Sequence, residues 1–344
     1  MRVEPFALAL ARPLETARGA IERREGWLVR VAVDGQPGVG EATPLAGWTE
    51  SREECAAALE RATRVAAEEG PEAARDRLEG RPAARHGVAL AVADARARAE
   101  GVPLYRQLGG DPVESVPVNA TVGDDGPEAT AAAARRAREA GFDCLKLKAG
   151  ARSLTADIER LAAVREACPG VTLRVDANGA WTPAVAERAL GQFERFGVDY
   201  VEQPLPAADL AGHATLRGTS EVGVALDESL AAAGVDAALE AGAADVLVVK
   251  PMALGGPDRA LAAAARARER GVRSVVTTTI DAVHARTAAV HVAAALPERP
   301  AAGLATAGML AEDLEPDPCP VEAGHAAVPQ GKGNIPGATP TGSA

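Results

Sequence analysis

Lysine is nearly missing from this sequence. Only four of its 344 residues are lysine, and arginine supplies the other thirty-three basic residues. Aromatic residues are also scarce, with four Phe, three Trp and two Tyr. Helix surfaces and helix–barrel contacts are therefore expected to be built mainly from Ala, Leu and Val. A formal net charge of -11 opposes binding to a phosphate backbone. The four cysteines, Cys55, Cys144, Cys168 and Cys319, form no CxxC pair. That argues against a zinc ribbon or disulfide framework and for buried thiols in a reducing cytoplasm. No apolar run reaches the length of a membrane-spanning helix, and the first residues do not read as a secretory leader. No GxGxxG loop is present. The expected partner is a small molecule rather than nucleic acid or membrane. Self-association through helical surfaces is compatible with a chain of this size.

Three of the four lysines lie in two short apolar segments. Lys146 and Lys148 belong to Phe142-Asp143-Cys144-Leu145-Lys146-Leu147-Lys148, and Lys250 ends Val248-Val249-Lys250. Between them lie three more apolar runs, each closed by an acid: Leu173-Arg174-Val175-Asp176, Tyr200-Val201-Glu202 and Val224-Ala225-Leu226-Asp227. Strand-like runs recur about every 25 residues from residue 116 onward, most of them separated by an alanine-rich helical stretch, which is the length of one βα unit. The runs are 116–122, 144–148, 171–176, 200–202, 223–227, 246–250, 274–278 and 303–306. Eight such units predict a (β/α) barrel. An open doubly wound sheet is the rival, and it would normally carry the glycine-rich loop that this chain lacks.

Residues 1–110 read as an α+β capping domain. The alternating run 28–33 followed by Asp34-Gly35 predicts a hairpin, and Ser51 with Glu54 predicts a helix capping box. The barrel is expected over 111–306. Residues 307–344 are expected to return to the capping domain and to end in a disordered tail from residue 337.

In a barrel, functional side chains sit at the C-terminal ends of the strands. Lys148, Asp176, Glu202, Asp227 and Lys250 all fall there, on five successive strands. Three converging carboxylates call for a cation, and oxygen donors suit Mg²⁺, with Mn²⁺ as a substitute. Flanking lysines suit proton transfer. Together these parts predict removal of a proton beside a substrate carboxylate, with the metal holding the resulting enediolate. Asp227 has a second reading as a helix cap, since Glu228 and Ser229 follow it.

On these motifs the chain resembles the enolase superfamily, within its muconate-lactonising-enzyme subgroup. The resemblance rests on Lys146-Leu147-Lys148, Asp176-Ala177-Asn178-Gly179-Ala180-Trp181, Glu202-Gln203-Pro204, Asp227-Glu228-Ser229 and Lys250-Pro251, in that order. It implies a modified TIM barrel with an α+β capping domain, and a lysine base working with Mg²⁺. Within the subgroup the run Val249-Lys250-Pro251-Met252-Ala253-Leu254-Gly255-Gly256 is most similar to the o-succinylbenzoate synthase family. That likeness implies metal ligation by Asp176, Glu202 and Asp227. It implies Lys148 as the base that also assists departure of hydroxide, Lys250 as the cation over the enediolate, and Lys146 as electrostatic support. The implied reaction is dehydration of 2-succinyl-6-hydroxy-2,4-cyclohexadiene-1-carboxylate to 2-succinylbenzoate, a step of menaquinone biosynthesis.

The same residues would serve an N-acylamino acid racemase, a dipeptide epimerase or a muconate-type cycloisomerase. Dipeptide epimerases are expected to carry Asp-x-Asp after the eighth strand, where this chain has Thr306-Ala307-Gly308-Met309. After the seventh strand, Thr277-Thr278-Thr279-Ile280-Asp281 replaces the family's Ser-x-Glu-Ser type segment. Thr278 and Asp281 are therefore expected at the substrate. Residues 14–21 and 44–48 are expected to be loops closing the mouth, with Trp48 on its wall; Arg18 or Arg23 is a candidate to meet a distal carboxylate, though each reads first as an unpaired surface arginine. His284 and His291 fall in a helical pattern and read as packing residues.

Overall fold

The computed structural model describes residues 1–16, 19–123 and 125–337. Arg18 and the tail beyond residue 337 lie outside them. The chain opens with a three-stranded antiparallel sheet, β1 (Arg2–Thr16), β2 (Gly19–Val33) and β3 (Gln36–Ala42), in that spatial order. The β2–β3 hairpin turns at Asp34 and Gly35, both at positive φ, as the Asp-Gly pair requires. Helix α1 (Arg52–Glu69) starts on the expected Ser51–Glu54 capping box. After the short α2 (Pro71–Asp76), α3 (Pro82–Glu100) packs on the sheet. Its backbone approaches β3 directly: a Cβ on Gly38 would lie 2.0 Å from the Ala91 carbonyl oxygen, and one on Gly40 2.0 Å from that of Gly87. Glycine here is what lets the helix lie so close.

Within the expected loop 14–21, the described residues pair as strand, with Leu14 opposite Ile21 and Thr16 opposite Gly19. The reason is register: the β1–β2 pairing resumes after an irregularity between Ala9 and Leu14 and so carries the ladder on to Thr16 and Gly19.

The expected strand at 116–122 divides between two sheets. Residues Ser115–Pro117 (β4) join the C-terminal strands β12 (Val321–Glu322) and β13 (His325–Ala327) in an antiparallel sheet ordered β12-β13-β4. Only Ala120–Val122 (β5) enters the barrel. A parallel sheet of seven strands then curls from β5 through β6 (Cys144–Lys148), β7 (Thr172–Asp176), β8 (Val198–Glu202), β9 (Gly223–Leu226) and β10 (Val246–Val249) to β11 (Arg273–Val276). The expected eighth strand shrinks to two residues. Ala302 makes a parallel bridge to Val118 and Gly303 one to Thr277, so this short stretch joins the two edges of the sheet.

Leu, Val and Ala from strands and outer helices form the main core, which is why the strands read as continuous apolar runs. A second, smaller cluster of Tyr200, Ala225, Val246, Val248 and Val275 packs separately from it. Three of the outer helices, Pro127–Glu139, Pro183–Phe193 and Pro257–Glu269, begin with proline in the first turn, where the missing N–H costs nothing. The four cysteines are free and buried. Among the described residues no helix is long and apolar enough to cross a membrane.

The C-terminal segment runs back along the capping sheet. Leu310 bridges Leu10, and Gly333 bridges Pro103. His284 and His291 both lie buried in the helix Val283–Ala295.

Candidate active site

Strand register sets the site. Lys148 pairs with Asp176, and Asp176 pairs with Glu202, so three functional side chains stand at one level of the sheet. Strand periodicity places Lys146 on the same face as Lys148, one step deeper. Asp227 follows the end of β9, and Lys250 follows the end of β10. All five residues of the sequence constellation, with Lys146, therefore meet at the C-terminal mouth.

The lysines are already engaged. Lys146 Nζ donates to Glu202 Oε1 over 2.9 Å and Oε2 over 3.2 Å, and stands 3.1 Å from Asp176 Oδ2. Lys148 Nζ donates to Asp176 Oδ2 over 2.8 Å and to Asn178 Oδ1 over 2.9 Å. Lys250 Nζ donates to Asp227 Oδ2 over 2.7 Å and lies 3.2 Å from the centre of the Trp48 ring. The carboxylates are nearly inaccessible: Asp176, Glu202 and Asp227 are 1%, 2% and 4% exposed.

This burial shapes the titration. Burial, aided by the neighbouring Asp176 charge, pushes Glu202 up to about 7 against the opposing pull of Lys146. Burial likewise pushes Asp227 up to about 6, against Lys250 and with help from Glu228. For Asp176 burial acts in the same sense, but Lys146 and Lys148 outweigh it and hold the acid well below the usual carboxylate range. Burial alone would lower Lys146, yet Glu202 and Asp176 outweigh that and raise it well above the ordinary lysine value.

The donor set fits a hard divalent cation. It offers carboxylate oxygens from three neighbouring strands, and Asp227 Oδ1 is buried with no hydrogen-bond partner. Among the described residues no three Asp, Glu, His or Cys side chains stand together as a ready metal cluster. The Lys146 ammonium bridges Asp176 and Glu202.

The two seventh-strand candidates differ in placement. Thr278 is buried, with its hydroxyl 3.2 Å from that of Thr306. Asp281 is also buried, but its carboxylate turns back to accept from the Thr279 hydroxyl over 2.5 Å and the Thr279 N–H over 3.3 Å. Its short side chain thus satisfies its own loop. Trp48 lines a small cavity with Asp227, Leu230, Val248 and Lys250. Arg23 is paired in register with Ala9 on the capping hairpin.

Several residues support the site in roles that the sequence reading did not assign. Asn178, at φ 44, accepts from Lys148 and donates to Glu228 Oε1 over 3.1 Å. Gln203, at φ 42, accepts from the backbone N–H groups of Asp227 and Ser229 and donates to the Ser229 hydroxyl, which fixes the start of the loop bearing Asp227. Arg160, 1% exposed, donates to the Lys148 carbonyl over 2.8 Å and to Asp157 over 2.9 Å. Asp157 in turn accepts from Gly150 N–H over 2.9 Å, so the pair grips the backbone on both sides of the site's strand end. Asn178 and Gln203 had a visible signal, since each directly follows or nearly follows a site acid. Arg160 had none, being one arginine among many on a helix.

The family described as Enolase C-terminal domain-like matches residues 129–334. The chain is 32% identical over 305 residues to the L-Ala-D/L-Glu epimerase of Bacillus subtilis (strain 168), covering 84% of this chain and 82% of that one. It is 40% identical over 210 residues to the o-succinylbenzoate synthase of Thermobifida fusca (strain YX), covering 60% of this chain and 64% of that one. Among solved structures it resembles the dipeptide epimerase from Enterococcus faecalis V583 complexed with Mg and the dipeptide L-Leu-L-Tyr. The TM-score is 0.86 at 28% identity, over 97% of each chain.

Proposed function

The chain belongs to the Enolase C-terminal domain-like family, and we propose that it is an o-succinylbenzoate synthase. The reaction is the syn dehydration of 2-succinyl-6-hydroxy-2,4-cyclohexadiene-1-carboxylate to 2-succinylbenzoate. Relatives of similar identity include both a synthase and epimerases, so family membership does not choose between elimination and epimerisation. The observation that carries the choice is the inequality of the two flanking lysines. The Lys148 side chain is 41% exposed, and that of Lys250 is 11% exposed. Lys148 can exchange a proton with solvent, whereas Lys250 is fixed between the Asp227 carboxylate and the face of Trp48.

That asymmetry suits a reaction with one base. Lys148 takes the proton from the carbon beside the substrate carboxylate as the C–H bond breaks. The new C=C bond forms as the ring C–O bond breaks, and Lys148 returns its proton to the departing hydroxide, releasing water. Lys250 keeps its charge and lies against the negative charge that builds on the carboxylate. Lys146 adds a second fixed positive charge beneath it. A two-base epimerisation asks instead that both lysines release and accept protons in turn. The absence of Asp-x-Asp at Thr306-Ala307-Gly308 counts against the dipeptide-epimerase subclass.

Asp176, Glu202 and Asp227 are the residues that would hold Mg²⁺, or Mn²⁺ in its place. A divalent ion bound there supplies Lewis-acid stabilisation of the substrate carboxylate. The test is to supply the hydroxycyclohexadiene carboxylate with Mg²⁺ and follow the aromatic product by absorbance. N-succinylamino acids and dipeptides are assayed in parallel for loss of optical activity. Aromatic product that vanishes in Lys148→Ala supports the reading. Racemisation of both enantiomers at comparable rates without aromatic product overturns it.

A further inference from the structure

Arg24 is 3% exposed and belongs to the capping strand β2, yet its guanidinium donates across to the barrel. Its Nε reaches the Ile280 carbonyl over 3.0 Å, in the loop after the seventh barrel strand. Its two Nη atoms reach the carbonyls of Pro44 over 3.1 Å and Thr43 over 3.0 Å, at the root of the loop bearing Trp48. One fork of donors therefore joins the loop that carries Trp48 to the loop that carries Thr278.

Three further features bear on the same junction. Ile280 holds φ 62, a conformation that a β-branched residue adopts only when its surroundings impose it. Its side chain packs in the capping cluster of Leu8, Leu10 and Leu310. Glu41 of β3 grips the far side of the loop, accepting from the N–H groups of Ala282 over 2.9 Å and Ala285 over 2.8 Å. The strain is thus held from the capping sheet, by a cation on a carbonyl and an anion on amides.

We propose that Arg24 is a positioning residue that locks the Trp48 loop to the Thr278 loop, so that the remote part of a bound carboxylate meets one preset wall. The proposal rests on the preceding reading only for the substrate used in its kinetic arm. Neither lysine chemistry nor metal ligation involves Arg24, so its loss should be felt in substrate binding.

The test uses amide hydrogen exchange on the full chain, with Arg24→Met and Arg24→Lys. Lysine keeps the charge and stem but gathers its donors on one nitrogen in place of a planar fork, and it decides the question should the methionine variant not fold. The expected result is exchange faster by roughly tenfold or more at Trp48 and Thr49 in one loop and at Thr279 and Ala282 in the other, with the capping strands unchanged. KM should rise roughly tenfold with kcat within about threefold, the sign of binding lost equally from ground and transition states. Wild-type protection at either loop in both variants overturns the proposal. So does faster exchange spread evenly through β1, β2 and α1, which would mark Arg24 as scaffold alone. The exchange arm needs no turnover, so failure of the dehydration reading leaves it intact.

Discussion

The Lys250 ammonium and the Trp48 ring lie 3.2 Å apart, nitrogen to ring centre, across the boundary between barrel and capping domain. This contact joins the residue proposed to hold negative charge to the loop proposed to close over it. A desolvated cation–π contact is worth up to about 2 kcal/mol. Trp48→Leu should therefore lower kcat/KM by about tenfold to thirtyfold, while Trp48→Phe should keep most of the activity. Steady-state kinetics on the three proteins would check this, and equal activity in Trp48→Leu would show that the ring contributes nothing to catalysis.

Lys146 competes with any cation for Asp176 and Glu202. Removing its charge should therefore strengthen metal binding even as it weakens chemistry. In isothermal calorimetry Lys146→Met should bind Mg²⁺ at least about tenfold more tightly than wild type, since a unit charge a few ångströms away is worth more than about 1.4 kcal/mol at a protein's effective dielectric. Chelation with EDTA should abolish wild-type turnover, and Mg²⁺ should restore it. Weaker Mg²⁺ binding in Lys146→Met would mean that the ammonium supports the ion instead of standing in its place.

The site was far more legible in the sequence than its supports were. Lysine is so rare that Lys146, Lys148 and Lys250 stood out, and acids ending apolar runs at a regular spacing gave Asp176, Glu202 and Asp227. A functional side chain at a strand end breaks an apolar pattern, and that break is visible in one dimension. Arg24 and Arg160 break no such pattern, because the contacts that tie them to the site go to backbone carbonyls, which every residue has. The eighth strand was misjudged for a related reason. Ala302 and Gly303 close the sheet with single bridges, and closure depends on where the two edges lie rather than on local propensity. Asp281 accepts from Thr279, two residues away, a short-range hydrogen bond of a kind that no apolar pattern reveals.

Two glycine substitutions should move stability in opposite directions. Gly40→Ala forces a methyl to within 2.0 Å of the Gly87 carbonyl oxygen, a backbone atom that cannot step aside, so helix and sheet must separate. A loss of about 3 kcal/mol or more is expected, at the upper end of overpacking effects. Gly191 lies exposed in the helix Pro183–Phe193, and a methyl added there would meet nothing within 4 Å. Gly191→Ala should therefore stabilise by roughly 0.5–1 kcal/mol, by lowering the entropy of the unfolded chain. Thermal denaturation of both variants beside wild type would test the pair, and a harmless Gly40→Ala would contradict the close packing of α3 on β3.

His291 should make stability depend on pH. Its ring is fully buried: Nδ1 lies 3.3 Å from the Tyr105 backbone nitrogen, and Nε2 lies 2.9 Å from the Asn334 carbonyl. That pattern fits the neutral imidazole with its proton on Nε2, because a second proton on Nδ1 would face a donor. Burial pushes the imidazole down to about 4, against a partial opposing effect of the Asn334 carbonyl. The unfolded chain takes up its proton near the ordinary value of about 6.5, while the folded chain does not until about 4. Stability from this group is therefore complete above about pH 6.5 and falls as the pH drops toward 4, by about 3 kcal/mol in all. His291→Gln keeps a donor and an acceptor but does not titrate. The stability difference between wild type and His291→Gln, measured by urea unfolding, should thus shift against wild type between about pH 7.5 and pH 4.5 by roughly 2–3 kcal/mol. Other titrating groups cancel in that difference, so a constant gap across the range would mean that the buried imidazole protonates as readily folded as unfolded.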